Sequence, residues 1–285
     1  MYRIEKKDVL NETVTSLWVN APLVARKGEA GQFIILRVDE EGERIPLTIA
    51  GTDREKGFVR IIFQVVGATT MKLNALKEGD YIHDFVGPLG KPSELEGLKK
   101  VAVIGGGVGC AIALPVARKL HDLGAKVVSI VGFRNKDILI LEDEFKEVSD
   151  KLIVTTDDGS YGDKGNVTIP LRRMLENGEK FDRIIAIGPL IMMKFVSLTA
   201  KEFNVPVVVS MNPIMIDGTG MSGGCRLSLC QDGKRVTKFA CVDGPEFDGY
   251  EVDFDEAMSR NRMYVDFEKH AYEETCNLLR KGGEN

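Results

Sequence analysis

The sequence predicts an α/β plus β chain: an N-terminal β-barrel, a doubly wound parallel α/β domain and a small C-terminal hairpin module. Three observations carry this prediction. Residues 1–97 alternate in the β manner between polar turns, without long helical periods. Residues 98–210 alternate short apolar runs with helical patterns, opening on KVAVIGGGVGCAIALPVAR (Lys100 to Arg118). Residues 211–250 crowd Gly, Asp and Cys around a legible hairpin, and residues 251–285 read as a charged helical tail.

In the first part, GQFIILRV, GFVRIIFQVV and DYIHDFVGP read as strands separated by EEGER, DREKG and KEGD. GATTMKLNAL (Gly67 to Leu76) interrupts them as a short helix. Its Gly-Ala-Thr-Thr entry offers hydroxyls and free N–H groups to an anion, or simply caps a surface helix.

In the second part, strand, glycine turn and helix bring the backbone of Gly105, Gly106, Gly107, Val108 and Gly109 and a helix N-terminus up to a phosphate. Gly105 and Gly107 fit G-x-G-x-x-G, and Cys110 takes the third place. The second strand closes on GFRN (Gly132 to Asn135), without the usual ribose-binding acid. The third closes on TTDDGSYGDKG (Thr155 to Gly165) and the fourth on AIGPLIMMKFV, whose Met192 and Met193 serve equally well as core filler.

In the third part, CRLSLC, the turn QDGK and RVTKFAC form a hairpin that brings Cys225 and Cys241 together at its open end and leaves Cys230 near the turn. Soft thiolates on a flexible glycine loop suit a 2Fe–2S cluster. Gly220-Met-Ser222-Gly-Gly224 also satisfies G-x-S-x-G, but a nucleophile elbow needs a helix after the serine, and here a strand pattern follows. Cys110 and Cys276 read as packing residues.

Composition narrows the function classes. The 285 residues are 44% hydrophobic and 28% charged, with no apolar stretch of the roughly 18 residues a membrane helix needs. A formal charge of −5 and the lack of a basic tract argue against a nucleic-acid partner. MYRIEKKDVL has no signal-peptide hydrophobic region, so the cytoplasm is expected. Five cysteines are an odd number for a disulfide framework and point to metal ligation or burial, and three scattered histidines offer no zinc spacing.

RIPLTIAG (Arg44 to Gly51), VVGATT (Val65 to Thr70), VGPLGKP and VAVIGGGVG together resemble the ferredoxin reductase-like flavoprotein family. The resemblance implies that Pro46, Leu47 and Thr48 lie along the flavin, with Leu47 and Thr48 at the positions of a Tyr-Ser/Thr pair. Arg44 sits one residue early for that motif. It implies that Gly67, Thr69 and Thr70 bind the FAD pyrophosphate. TTDDGSYGDKG places Asp157 and Asp158 by the adenosine ribose, where charge opposes a 2′-phosphate and favours NADH. Gly188, Pro189 and Met192 fall at the turn beside the nicotinamide.

MIDGTGMSGGCRLSLCQDGKRVTKFACVDGPEFDG closely resembles the small subunits of NAD-dependent ferredoxin:NADP oxidoreductases, and more distantly the electron-transfer subunits of dihydroorotate dehydrogenase. The cluster ligands implied are Asp217, Ser222, Cys225 and Cys241. Asp at the first position marks the former group. Ser222 departs from the expected Cys, and three readings compete: a serine ligand, recruitment of Cys230, or a labile or absent cluster. Cys230 lies about five residues up a strand, on the order of 16 Å from Cys225, which is too far without rearrangement.

The function implied is electron transfer between NAD(H), FAD and a 2Fe–2S cluster by placement, with no side-chain acid or base. The partner implied is a larger, glutamate synthase small-chain-like subunit with its own FAD and 4Fe–4S clusters, and through it ferredoxin. The tail covers the chain's own surface or embraces that subunit. A dihydroorotate dehydrogenase type subunit and a non-catalytic interaction subunit are the rival readings.

Overall fold

The computed structural model describes residues 1–263 and 265–282, with side chains as far as residue 273. Seven strands build the first sheet: β1 (Tyr2–Val9), β2 (Val14–Asn20), β3 (Phe33–Arg37), β4 (Arg44–Asp53), β5 (Phe58–Gln64), β6 (Tyr81–Ile82) and β7 (Asp84–Leu89). All pairs are antiparallel, in the order β6-β1-β2-β5-β4-β3-β7. Helices α1 (Pro22–Lys27) and α2 (Ala68–Ala75) fall between them. The stretch read as the single strand DYIHDFVGP divides at His83: Tyr81–Ile82 pair with β1, while Asp84–Leu89 pair with β3. One short segment thus reaches both edges of the sheet and curls it into a half-barrel.

Period-2 alternation explains how the barrel attaches to the rest. On β3, Ile34 and Leu36 face the barrel core with Leu17, Ile61, Phe63 and Phe85. Their neighbours Phe33 and Ile35 face out and join a second core shared with the α/β sheet and the hairpin. Ile62 on β5 likewise packs outward among Val101, Leu114 and Val131.

The second sheet holds β8 (Lys100–Gly106), β9 (Lys126–Phe133), β10 (Lys151–Thr156), β11 (Asp163–Lys164), β12 (Arg183–Ile187) and β13 (Val207–Ser210). Between them run α3 (Cys110–Asp122), α4 (Glu142–Val148), α5 (Thr168–Glu176) and α6 (Leu190–Glu202). The order β11-β10-β9-β8-β12-β13 is parallel and reverses direction at β8, the switch point where such sheets bind ligands.

The remainder comprises β14 (Arg226–Gln231), β15 (Lys234–Phe239), α7 (Ala240–Asp243), β16 (Glu246–Asp248), α8 (Phe254–Asn261) and α9 (Val265–Gly282). Two details differ from the sequence reading. Cys241 lies not on the second hairpin strand but in α7, where the Asp243 carboxylate takes the Phe239 N–H at 2.8 Å and turns the chain. The α/β sheet is also mixed, because β16 pairs antiparallel with β13 and covers an edge that would otherwise be open. The tail is helical: α8 packs on α6 and β14, and α9 packs on α2. The side chain of Cys276 lies outside the described residues. Among those described, no helix is long and apolar enough to cross a membrane.

Arg60 on β5 ties the barrel to α4. Its guanidinium contacts both oxygens of Glu144, at 2.7 Å for the closest pair, while Nε donates to Ser16 Oγ at 3.0 Å. The Arg60 side chain is only 12% exposed, so water screens the pair weakly. Arg60→Ala is expected to cost about 1–3 kcal/mol in urea unfolding, because Ser16 loses its partner and Glu144 keeps only Arg118, at 3.9 Å. A midpoint equal to wild type would show that the clamp contributes nothing.

Candidate functional site

At the switch point, β8 runs straight into the turn Gly107–Gly109 and α3. This turn and the end of β12 are in backbone contact. A Cβ on Gly109 would stand 2.4 Å from the Ile187 carbonyl oxygen and 2.7 Å from Gly188 Cα, so only glycine lets the two turns meet. Met192 lies over the junction, its sulfur against Gly106 together with exposed Pro189. The outer face of the turn is clear: nothing lies within 4 Å of where a Gly107 Cβ would be. Cys110 is buried behind Gly105, and burial pushes its thiol pKa up, so it is a packing residue as expected. Met193 is also core, whereas Met192 is not.

The acids after β10 are solvent-exposed. The Asp157 N–H bonds the Phe133 carbonyl at 3.0 Å, and the Asp158 N–H bonds the Arg134 carbonyl at 3.3 Å, which places exposed Arg134 beside them. Asp158 is held below the usual carboxylate range by the Ser160 hydroxyl and N–H.

On the barrel, Pro46, Leu47 and Thr48 stand half-buried on β4 opposite Ile35, Ile34 and Phe33. The entry to α2 faces the same end, since Thr69 Oγ1 donates to Glu43 Oε2 at 3.4 Å, next to β4. Thr70 shapes the turn itself: its Oγ1 accepts the Val66 and Gly67 N–H groups, both at 3.0 Å. A Gly67 Cβ would meet nothing within 4 Å. Arg44 is exposed and lies opposite Arg37 on β3.

The hairpin does bring two sulfurs together. Cys225 Sγ donates to Cys241 Sγ at 3.0 Å, and each residue is 1% exposed. Burial, then the Cys225 thiol, push the Cys241 thiol up to about 12, with the Asp217 charge adding to the effect. Asp217 and Ser222 form a second pair at the surface: Asp217 accepts the Ser222 N–H at 2.9 Å and the Ser222 hydroxyl at 3.2 Å. Burial raises the Asp217 pKa, but hydrogen bonds from Ser222 and Thr219 outweigh it, and the net shift is downward. Asp217 therefore stays a carboxylate. Cys230 is exposed and pairs with Arg235 five positions along β14, remote from this group.

The loop bearing Asp217 rests on the barrel. Gly218, at φ +72°, sits so close that a Cβ would meet Leu89 Cδ1 at 2.6 Å and Ile35 Cδ1 at 2.9 Å. Ile35 is the cross-strand partner of Pro46. The loop thus rests on the strand that pairs with the one carrying the flavin candidates.

Over 282 residues the chain is 49% identical to the dihydroorotate dehydrogenase B (NAD(+)) electron transfer subunit homolog of Thermotoga maritima, covering 99% of this chain and 97% of that protein. The chain belongs to this family. A Streptococcus pneumoniae dihydroorotate dehydrogenase B electron transfer subunit is 35% identical over 223 residues, 76% of this chain and 84% of its own. The iron–sulfur cluster binding domain of dihydroorotate dehydrogenase B matches residues 212–253. Among solved structures, a chain of the NADH-dependent reduced ferredoxin-NADP oxidoreductase is 49% identical with a TM-score of 0.89, covering 96% of this chain and 97% of that one. A cytochrome P450 reductase from Amycolatopsis, 21% identical with a TM-score of 0.60 over 71% of this chain and 65% of its own, shares the fold.

This electron-transfer subunit therefore has an FAD- and NAD-binding ferredoxin reductase-like fold joined to an iron–sulfur binding domain. Its donors are two buried soft sulfurs, Cys225 and Cys241, with the Asp217 charge near enough to raise the Cys241 thiol, and this chemistry fits an iron–sulfur group. The open faces of Gly67 and Gly107 fit nucleotide phosphates in the same sense. Two clefts flanking α8 contain none of these residues. The sequence reading did not single out Ile35, Leu89, Ser93 or Glu246, which join the parts. Such contacts pair residues far apart in the chain and leave no local pattern.

Proposed function

We propose that this chain is the NADH-oxidising small subunit of a heterodimeric NADH-dependent ferredoxin:NADP oxidoreductase, acting in the cytoplasm. Residues 1–97 serve as the FAD barrel, 98–210 as the NAD(H) domain, 211–250 as a 2Fe–2S module and 251–285 as a helical tail. Pro46, Leu47, Thr48, Gly67, Thr69 and Thr70 hold FAD. Gly105, Gly106, Gly107, Val108, Gly109, Asp157, Asp158, Gly188, Pro189 and Met192 hold NAD(H). Asp217, Ser222, Cys225 and Cys241 ligate the cluster. The observation that carries this reading is the touching sulfurs of Cys225 and Cys241, the latter within reach of the Asp217 charge, with Asp217 bonded to Ser222 on a loop seated against Ile35 of the barrel.

The bound flavin supplies the exchange between a two-electron hydride and single electrons. The chain's own work is placement. The meeting of the Gly109 and Gly188 turns shapes the nicotinamide end, β4 and α2 hold the flavin, and Ile35 with Leu89 excludes water between flavin strand and cluster loop. Two acids against one Arg134 favour NADH, whose ribose carries no 2′-phosphate. The partner is a larger subunit with its own FAD and 4Fe–4S clusters, through which ferredoxin is served.

The family match at residues 212–253 favours a second reading, the electron-transfer subunit of a dihydroorotate dehydrogenase. An Asp at position 217, in place of the Cys expected there, weighs against it. The test is iron, sulfide and flavin content of anaerobically purified protein, with an EPR spectrum after dithionite reduction. About two irons per chain are expected. The signal should change in Ser222→Ala and persist in Cys230→Ala; the reverse pattern would falsify the ligand set. Dihydroorotate oxidation by the partnered complex, without NADPH:ferredoxin activity, would establish the second reading. A chain without NADH:dye reductase activity would instead be a non-catalytic interaction subunit.

A further inference from the structure

The segment after Cys241 meets the linker between the barrel and the α/β sheet. The Lys91 N–H donates to the Gly244 carbonyl at 2.7 Å, and the Met211 N–H donates to the Pro245 carbonyl at 2.9 Å. Ser93 Oγ donates to Glu246 Oε1 at 2.6 Å, joining residues 153 positions apart. Glu246 also opens β16 opposite Ser210 of β13. Gly31, at φ +85°, makes room for the pair: a Cβ there would fall 2.3 Å from Ser93 Oγ and 3.2 Å from Glu246 Oε1. Gly90 packs the same way against Pro245 and Phe33. Barrel, α/β sheet and the Cys241 segment thus converge on one carboxyl group.

That carboxyl is costly to keep there. Burial raises its pKa, and the Ser93 hydroxyl and Arg183 of β12 offset this only in part, while Glu94 adds to it. Arg183 itself donates to the Glu94 carbonyl at 2.7 Å, so the charged groups facing Glu246 belong to the same linker and sheet. A neutral apolar contact would fill this space at less cost. What a hydrogen-bonded carboxyl adds is direction: one oxygen, one donor, one register.

We infer that the Ser93–Glu246 hydrogen bond is a positioning contact that sets Cys241 and its loop against the barrel, and so governs electron passage from flavin to cluster without touching either. The inference rests on the proposed electron path. It separates two steps: hydride delivery to the flavin depends on the Gly109–Gly188 junction, and cluster reduction depends on the Ser93–Glu246 junction.

The experiment mixes NADH anaerobically with holoprotein in a stopped-flow instrument and follows flavin and cluster bands separately. Ser93→Ala should slow the cluster phase several-fold, through displacement of the Cys241 segment from the barrel. The flavin phase should keep its wild-type rate. Glu246→Gln retains an oxygen acceptor for Ser93 and should keep the cluster phase at its wild-type rate. Amide hydrogen exchange supplies a readout independent of turnover: Lys91 and Met211, whose N–H groups bond this segment, should exchange faster in Ser93→Ala and normally in Glu246→Gln. Wild-type protein whose cluster stays oxidised under NADH overturns the proposed electron path, and the exchange data then decide the junction alone. Wild-type cluster rate and exchange in Ser93→Ala overturn the inference, and so does equal slowing of both phases.

Discussion

Cys241→Ala is expected to empty the iron–sulfur site while leaving flavin in place. Cys225 and Cys241 are the soft donors of the candidate set, and they touch within a core that also holds Phe33 and Ile35 of the barrel. Removing one leaves a single sulfur with two oxygens, a set that binds iron far less well. Outer-sphere changes alone cost about 10–100-fold in metal affinity, and loss of a ligand should cost at least as much. Iron and sulfide per chain should fall close to background, and flavin content should match wild type. Compared with cluster-free wild type the fold should lose only about 1 kcal/mol, because alanine fills most of the space.

The same variant carries a pH test in cluster-free protein. Burial and Cys225 push the Cys241 thiol from an ordinary value of 9.0 up to about 12. A pKa raised by folding means the native state favours the protonated thiol. That stabilisation is complete below about pH 9 and drains away as pH rises through about 12. Urea midpoints measured upward from about pH 8 should therefore fall more steeply for the wild type than for Cys241→Ala. Parallel curves would show that this thiol does not titrate with folding.

How much of this was legible beforehand differs by part. The α/β elements announced themselves because parallel strands buried on both faces are apolar throughout, as in KVAVIGG, where the six residues after Lys100 are buried. β1 is nearly silent by contrast. Only Ile4 of its eight residues is buried, so charges mask the alternation. The hairpin could be read from its turn, and with it the meeting of Cys225 and Cys241. The helix that carries Cys241 could not, because it depends on Asp243 capping the Phe239 N–H. The pairing of β16 with β13 was hidden for a related reason. A three-residue strand has no period to detect, and its partner lies nearly forty positions away.

The flavin half shows a different limit. Thr70 is a candidate phosphate ligand, and its hydroxyl also braces the Val66 and Gly67 N–H groups. A capping hydroxyl and a ligating one carry the same residue type at the same spacing, so sequence does not separate them. Gly218 shows the opposite case. A glycine in a flexible-looking run turns out to be the point where the cluster loop rests on Ile35 and Leu89.

Gly109→Ala should be the most damaging single-atom change at the nucleotide end, and its effect should be confined to NADH. The backbone there has φ −58°, which alanine adopts freely, so the obstacle is contact alone. The new methyl would lie 2.4 Å from the Ile187 carbonyl oxygen, a rigid strand end rather than a flexible side chain. Either β12 or the glycine turn must retreat, at a cost of about 1–3 kcal/mol. A shift near 1 Å between the two turns that hold the nicotinamide should slow NADH-driven flavin reduction about 100-fold. Iron content and dithionite-reducible cluster signal should remain at wild-type levels, because Cys225 and Cys241 lie elsewhere, at the hairpin and in α7. Gly107→Ala is the comparison. At φ +55° it strains the backbone by about 1–2 kcal/mol and sets a methyl on the open face proposed for the phosphate, so it should weaken NADH binding while flavin reduction at saturating NADH stays near the wild-type rate. If both variants reduce flavin at the wild-type rate, hydride delivery does not pass through this turn. If Gly107→Ala alone is slow, the open face of the turn, and not its junction with Gly188, determines nucleotide placement.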